Sequence, residues 1–187
     1  MKKLVLFASG NGSNAEEIIN YFKINGTGTI AAIFTNNAEA YVIHRAKKHN
    51  IPFEIFSKDQ LNNGEVLKKL DEVKPDLIVL AGFLLLFPMS ILEKHSHVIN
   101  IHPALLPKYG GKGMYGMRVH NAVLEAKEKE TGITIHYVNE NYDEGKYIFQ
   151  KSVSIEACKS AEEIAQKVHE LEYLYFPKVV FEILNSK

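Results

Sequence analysis

Short apolar runs alternate with amphipathic stretches along the first half of the chain, beginning with a continuous apolar run at residues 4–8. An unbroken run of this length is typical of a parallel strand that is buried on both faces. Residues 9–14 are rich in Ser, Gly and Asn, and therefore predict a loop. Apolar residues then recur at the spacing of one helix face, at Ala15, Ile18, Ile19 and Phe22. The pattern predicts a strand, a loop and a helix in that order.

The same alternation continues to residue 102. We predict further strands at 30–35, 53–56, 77–81 and 98–102, and helices at 38–48 and 65–73. Pro75 ends the second of these helices, and Pro103 closes the last strand. Alternating strands and helices favour a Rossmann-like α/β fold, with a doubly wound and mostly parallel sheet.

The second half of the chain has a different pattern. Residues 104–117 are rich in Pro, Gly and Lys and predict a long loop, which precedes a helix at 119–126. Two alternating strands at 133–138 and 147–155 are expected to add antiparallel to the edge of the sheet. Ser160 and Glu163 have the spacing of a helix start, for a final helix at 161–176 that Pro177 kinks or divides. We expect one domain over residues 1–187.

Composition excludes several classes of protein. Lys plus Arg and Asp plus Glu each number 22, and this balance argues against a nucleic-acid-binding surface. The single cysteine, Cys158, rules out an intramolecular disulfide framework and a cysteine-cluster zinc site. The longest apolar stretch is too short for a membrane span, and no targeting segment is recognisable. We therefore expect a soluble, cytoplasmic protein without a membrane partner.

Ligands of open α/β sheets bind beyond the carboxyl ends of the parallel strands, and the loop at residues 10–14 lies at such an end. Its glycines allow a ligand to approach backbone N–H groups closely, and the helix that follows favours an anion. Gly12, Ser13 and Asn14 are the candidates for a monophosphate site. The loop lacks both the dinucleotide fingerprint and the P-loop lysine. The alternative is a tight turn in which Ser13 and Glu16 form a capping box.

Asn100 and His102 lie two positions apart on a predicted strand, and therefore on the same face. A carboxamide beside an imidazole at a strand end has the chemistry to stabilise an oxyanion and transfer a proton. Asp143, on a later loop, would favour the imidazolium and raise the pKa of His102 if the two side chains pair. The alternatives are a buried histidine bonded to backbone and a solvated loop acid.

Other groups carry weaker signals. His95, His97 and His102 are close in sequence, but the first two flank the opposite end of the strand, so a shared metal ion is not expected. His44 and His49 fit a solvated helix face, while His120 and His169 could point either way. No serine-nucleophile motif is present.

Leu84, Leu85, Leu86 and Phe87 follow a predicted strand end directly. This apolar segment is either core or a wall for a flat aromatic ligand.

Five motifs, taken in chain order, resemble the phosphoribosylglycinamide formyltransferase family of folate-dependent enzymes. They are Gly-Asn-Gly-Ser-Asn at 10–14, Leu-Ala-Gly-Phe at 80–83, Asn-Ile-His-Pro-Ala-Leu-Leu-Pro-Lys-Tyr at 100–109, Gly-Ile-Thr-Ile-His-Tyr-Val at 132–138 and Asp-Glu-Gly at 143–145. The similarity covers essentially the whole chain. The Asn-x-His pair with a later Asp marks the wider formyltransferase superfamily, and the first motif points to this member.

The resemblance implies formyl transfer from 10-formyltetrahydrofolate, as co-substrate, to glycinamide ribonucleotide in purine synthesis, without a metal. It implies that Gly12, Ser13 and Asn14 hold the phosphate and that Glu172 contacts the ribonucleotide. Folate would bind along Leu84, Leu85, Leu86, Phe87 and Asn100. The catalytic groups would be Asn100, His102 as proton donor and Asp143. Glu172 is reached only through the resemblance, since its pattern alone also fits a surface helix acid.

The resemblance leaves several alternatives open. A formyltransferase acting on a sugar amine and a formyltetrahydrofolate hydrolase would share the three catalytic residues. A non-enzymatic nucleotide-binding module would need only the phosphate loop. The partners implied are small-molecule substrates, and we expect a monomer or a weak homodimer. The loop at 108–117 is longer than in many relatives, and Gly64 or a neighbour stands where the family often has an arginine near the folate tail.

Overall fold

A computed structural model describes residues 1–186 and places a seven-stranded sheet at the centre of this region. The strands are β1 (Lys2–Phe7), β2 (Gly28–Thr35), β3 (Phe53–Ile55), β4 (Leu77–Leu80), β5 (Val98–His102), β6 (Glu130–Tyr137) and β7 (Tyr147–Ser154). Their order across the sheet is β3-β2-β1-β4-β5-β6-β7. The first five strands pair in parallel, whereas β6 and β7 add antiparallel at one edge. This confirms the predicted fold class.

Helices cover both faces of the sheet. They are α1 (Ser13–Asn25), α2 (Val42–Lys48), α3 (Lys58–Asn62), α4 (Glu65–Val73), α5 (Met89–Leu92), α6 (Met117–Glu125) and α7 (Ala161–Asn185). Buried residues of α1, α2, α6 and α7 pack on one face, and those of α3, α4 and α5 on the other. A sheet covered on both sides requires strands that are apolar at every position, which explains the continuous runs in the sequence.

β1 shows how the two core layers are separated. Leu4 and Leu6 belong to one layer and Val5 and Phe7 to the other, and all four are fully buried. Successive side chains of a strand point to opposite faces, so a single apolar run supplies both layers.

The predicted helix at 38–48 begins later than expected, because residues 38–41 form turns and α2 starts only at Val42. The last helix is not divided at Pro177, so its predicted end at residue 176 is wrong. α7 continues through this residue to Asn185, and Val179, Val180 and Leu184 beyond it are buried. Burial of this last part of the helix offsets the backbone hydrogen bond that proline removes.

Two short helices and one helix start differ from the sequence prediction, and another helix start agrees with it. α3 and α5 were not predicted, although the capping box of Ser57 and Gln60 at α3 is readable in the sequence. Ser13 does not cap α1; Gly12 occupies the cap position with a left-handed φ of 72°, and no side chain bonds there. The predicted cap at the last helix is present, since Ser160 accepts from the Glu163 N–H at 3.2 Å.

The strand order fixes where a ligand can bind. The chain runs outward from β1 to β2 and β3, then returns to place β4 on the other side of β1. The loops after β1 and β4 therefore diverge to opposite faces and leave a crevice at their carboxyl ends. None of the helices within residues 1–186 combines the length and apolar character needed to cross a membrane.

Phe7 connects the core to this crevice, and its removal tests that connection. Its ring contacts four aromatic rings at centroid distances of 4.9–5.9 Å: Phe34, Phe56, Phe83 and Phe87. We expect Phe7→Ala to lower the free energy of unfolding by about 3–5 kcal/mol, measured by urea denaturation, because it leaves a cavity. Ile24→Ala, at a side chain that is 83% exposed, is the control and should stay within about 0.5 kcal/mol of wild type. An equal effect of both changes would contradict this account.

Candidate active site

A cavity of about 620 Å³ lies at the carboxyl ends of β1, β4 and β5. The loops after these strands form one wall, and the β6–β7 connection with parts of α6 and α7 forms the other. Every site residue predicted from the sequence lines this cavity: Gly12, Ser13, Asn14, Leu84, Leu85, Leu86, Phe87, Asn100, His102, Asp143 and Glu172.

The loop after β1 brings the first turn of α1 to the cavity. Gly12 packs directly against α2, where any Cβ would overlap the Val42 side chain. Its carbonyl accepts the first helical bond, from the Glu16 N–H at 2.9 Å. The first N–H groups of a helix have no partner within the helix, and no side chain caps α1. This end of the cavity is therefore suited to an anion.

The loop after β4 is tied to the loop after β1 through Ser9. The Ser9 hydroxyl accepts from the Leu84 N–H at 3.0 Å and donates to Asn36 Oδ1 at 2.6 Å. Within the apolar segment that follows, Leu84 and Leu86 are each 44% exposed, whereas Phe87 is buried against Phe7. Phe87 therefore belongs to the core, whereas the leucines present apolar surface at the cavity, and their role as a wall for a flat ligand stays a prediction.

Asn100 and His136 face each other across β5 and β6. His136 Nδ1 donates to the Tyr137 carbonyl at 2.8 Å, because a carbonyl can only accept. In the neutral ring Nε2 is then an acceptor, and it lies 3.1 Å from the Asn100 amide nitrogen. This contact fixes which way the carboxamide of Asn100 points.

His102 is buried between two acceptors. Its Nε2 donates to the Tyr109 carbonyl at 2.7 Å, and its Nδ1 lies 3.4 Å from Asp143 Oδ2. Burial lowers the pKa of His102, and this outweighs the opposite effects of the Asp143 charge and the Tyr109 carbonyl. The predicted pairing with Asp143 is present and acts to raise the pKa of His102 as expected, but desolvation of the ring is the larger effect and the net shift is downward.

Asp143 is not a solvated loop acid, since its side chain is only 10% exposed. Its carboxylate accepts from the Gly111 N–H at 2.9 Å and from the Asn100 amide at 3.4 Å. Burial acts to raise the pKa of Asp143, but His136, His102 and the Gly111 N–H together hold it below its usual value. The residue is therefore an ionised group within the protein interior.

Glu172 lies on the buried side of α7, with 5% of its surface exposed, and is not a surface acid. It accepts from the Asn14 amide at 3.1 Å. Burial raises the pKa of Glu172 to about 7, although this hydrogen bond acts to lower it. Asn14 Oδ1 is buried and has no hydrogen-bond partner within residues 1–186. The pair therefore offers a ligand one free acceptor and one carboxyl group that titrates near neutrality.

Comparison with known protein families matches residues 2–180 to the formyl transferase family. The chain belongs to this family. It is 36% identical over its whole length to a chloroplastic phosphoribosylglycinamide formyltransferase of Arabidopsis thaliana, of which it spans 66%. It is 35% identical to phosphoribosylglycinamide formyltransferase of Bacillus subtilis (strain 168), and the match covers 99% of this chain and 96% of that protein.

Solved structures agree with this assignment. The crystal structure of phosphoribosylglycinamide formyltransferase from Bacillus halodurans superposes with a TM-score of 0.89 at 33% identity. The superposition covers 98% of this chain and 96% of that one. This formyl transferase therefore has the same overall fold as that relative.

Several lining residues of this formyl transferase were given no role from the sequence. The sequence prediction assigns no role to His136, although a polar residue in the alternating strand at 133–138 is a readable signal. His120 and His169 both line the cavity, which settles where they point. Burial, with the neighbouring charges of His169 and His102, lowers the pKa of His120 to about 4. Lys112 and Tyr115 on the loop before α6, and Arg118 in the first turn of α6, also line the cavity.

The remaining histidines do not form a metal site in the described part of the chain. No group of three or more His, Cys, Asp or Glu side chains within residues 1–186 is arranged to hold an ion. His95 instead lies 3.2 Å from Asp71. The prediction that His49 is solvated is wrong, because its side chain is 7% exposed and lies 3.2 Å from the Glu16 carboxylate.

The raised pKa of Glu172 predicts how stability changes with pH. A carboxyl group whose pKa is higher in the folded state stabilises the fold below its unfolded pKa, and loses that effect as the pH rises through the folded value. The ligand-free protein should therefore lose roughly 2–3 kcal/mol between pH 4.5 and 7 relative to Glu172→Gln, measured by urea denaturation across this range. Parallel stability curves for the two proteins would contradict the shift.

Proposed function

We propose that this formyl transferase moves the formyl group of 10-formyltetrahydrofolate to the amine of glycinamide ribonucleotide. The convergence of Asn100, His102 and Asp143 beside an anion-binding loop is the observation that carries the proposal. A nucleotide-binding module would need the loop but not these three groups. The relatives named phosphoribosylglycinamide formyltransferase support the choice of substrates.

The ribonucleotide binds with its phosphate on Gly12, Ser13 and Asn14. The phosphate accepts from the first N–H groups of α1, and the Ser13 hydroxyl can add a further bond. Glu172 and Asn14 Oδ1 then face the rest of the ribonucleotide, where hydroxyl groups of a ribose would donate to both. The start of α1 attracts the phosphate, whereas the Glu172 carboxyl group repels it when ionised. This difference between the two ends of the ribonucleotide site orients the substrate.

The folate binds at the other end of the cavity, along Leu84, Leu85, Leu86 and Phe87. The two exposed leucines provide apolar surface for a flat ring, and the neighbouring backbone provides polar groups. Asn100 lies on β5 next to the end of β4, which leads into this segment, and the formyl carbon and the amine meet beside its amide. Formyl folate is a co-substrate, and the proposed reaction uses no metal.

The amine attacks the formyl carbon, a C–N bond forms, and the carbonyl electron pair moves to oxygen. The Asn100 amide and His102 stabilise this oxyanion, and Asp143 stabilises the imidazolium form of His102. The bond from His102 Nε2 to the Tyr109 carbonyl must then be exchanged for one to the oxyanion. When the intermediate collapses, the bond to folate N10 breaks, and the proton lost by the amine passes to N10 through a water molecule.

A spectrophotometric assay with purified protein tests the reaction. Folate deformylation that requires glycinamide ribonucleotide is the expected result. Deformylation without the ribonucleotide would indicate a hydrolase instead. Folate binding without any deformylation would point to a formyltransferase with a different acceptor amine, and either of these results would overturn the proposal.

Substitution of the three catalytic residues tests their roles. We expect Asn100→Ala, His102→Ala and Asp143→Ala each to lower kcat by about 100- to 1000-fold, the usual effect of removing a group that stabilises an oxyanion. Lys69→Ala, at an exposed ion pair with Glu54, is the control and should retain wild-type kcat. Near-wild-type turnover in any of the three variants would exclude that residue from the chemistry.

A further inference from the structure

The loop proposed to bind phosphate is supported from behind by α2. The Val42 N–H donates to the Gly10 carbonyl at 3.1 Å, and the Val42 side chain fills the space beside Gly12. The loop therefore has little freedom to move away from the cavity at these two positions. Between them lies Asn11, whose conformation depends on a different residue of α2.

Arg45 holds Asn11 through both its backbone and its side chain. Arg45 Nε donates to the Asn11 carbonyl at 2.8 Å, and Nη2 donates to Asn11 Oδ1 at 2.7 Å. The guanidinium also forms an ion pair with Glu16 and lies 5.1 Å from the centre of the Tyr41 ring. The Arg45 side chain is only 17% exposed. Glu16 and Tyr41 therefore restrict the position of the guanidinium, and the guanidinium restricts the conformation of Asn11.

Glu16 adds an electrostatic reason for this arrangement. A carboxylate in the first turn of α1 would weaken binding of an anion at the same helix end. Here the Glu16 carboxylate is turned toward α2, where it contacts Arg45, Lys48 at 2.8 Å and His49 at 3.2 Å. The cations of α2 balance this charge, while Gly12, Ser13 and Asn14 at the start of α1 line the cavity.

We propose that Arg45 is a positioning residue for the substrate phosphate. It does not line the cavity, and it acts by holding Asn11 and hence the loop at 10–14 in the conformation that receives the anion. The inference rests on the proposed function, because it assigns the phosphate of the ribonucleotide to this loop. It makes Arg45 a determinant of ribonucleotide affinity rather than of the chemical step.

The shape of the guanidinium matters as well as its charge. The guanidinium makes two hydrogen bonds to Asn11 and also pairs with the Glu16 carboxylate. This arrangement requires the planar, forked set of N–H donors of arginine. A lysine at position 45 could keep a charge near Glu16 but could not reach both oxygens of Asn11. Arg45→Lys should therefore show an affinity between those of Arg45→Ala and wild type.

Kinetic measurements on Arg45→Ala, Arg45→Lys and Lys48→Ala test the proposal. Arg45→Ala should raise the KM for glycinamide ribonucleotide by roughly ten-fold, the equivalent of one charge-assisted hydrogen bond, and leave kcat and the folate KM within about two-fold. Lys48→Ala is the matched control, because it removes a cation that contacts the same carboxylate but not Asn11. Its ribonucleotide KM should match wild type. A fall in kcat without a rise in KM would overturn the proposal.

Calorimetric titration separates positioning of the phosphate from general damage to the fold. The dephosphorylated riboside should bind Arg45→Ala and wild type equally, whereas the ribonucleotide should bind the variant about ten-fold more weakly. Equal weakening of both ligands would mean that Arg45 is merely structural. Equal ribonucleotide binding by the two proteins would also overturn the inference.

Inorganic phosphate distinguishes failure of this inference from failure of the proposed function. If wild type binds no ribonucleotide, the proposed substrate is wrong. The loop can then still be tested through the thermal stabilisation that phosphate gives each protein. If phosphate stabilises wild type and Lys48→Ala but not Arg45→Ala, the role of Arg45 is supported. If phosphate stabilises all three proteins equally, or stabilises none of them, the inference is overturned.

Discussion

The buried carboxylate of Asp143 is the constraint around which the candidate site is built. An ionised group in the protein interior is costly unless each oxygen has partners. Asp143 accepts from the Gly111 N–H and the Asn100 amide, and the rings of His102 and His136 lie 3.4 and 3.6 Å from its oxygens, where each stabilises the carboxylate when it is protonated. These partners come from β5, β6 and the loop at 104–117, so balancing one charge also brings the catalytic groups together.

At His102, burial and the neighbouring acceptors have opposite effects on the pKa of the ring, and this opposition suits the proposed chemistry. Desolvation favours the neutral ring, whereas Asp143 and the Tyr109 carbonyl favour the imidazolium, and in the ligand-free protein desolvation dominates. An oxyanion formed beside the ring would add a second negative charge and shift the balance toward the imidazolium. A ring held near this balance responds to the charge of the intermediate more strongly than one already fully protonated.

The sequence predicts the parts of the fold and site that depend on local pattern. Apolar runs identify the buried strands, and strand ends identify the loop at 10–14 and the pair Asn100 and His102. Residues brought together by helix packing are harder to predict, because no local pattern says which side of α7 meets the cavity. Even so, Glu172 follows Val168 by four residues and precedes Phe176 by four, so it interrupts a buried helical stripe. That spacing could have identified it as a buried acid.

An overall charge of zero gives no information about the field inside the cavity, because the charges of this chain are sorted by position. At the loop after β1, the nearby acid Glu16 is paired with cations of α2 outside the cavity. At α7, the acid that does face inward, Glu172, has a pKa near neutrality and so carries only part of its charge. Neither of these two acids therefore opposes the field of α1 with a full, unpaired charge. An anion site can form in a neutral chain for this reason.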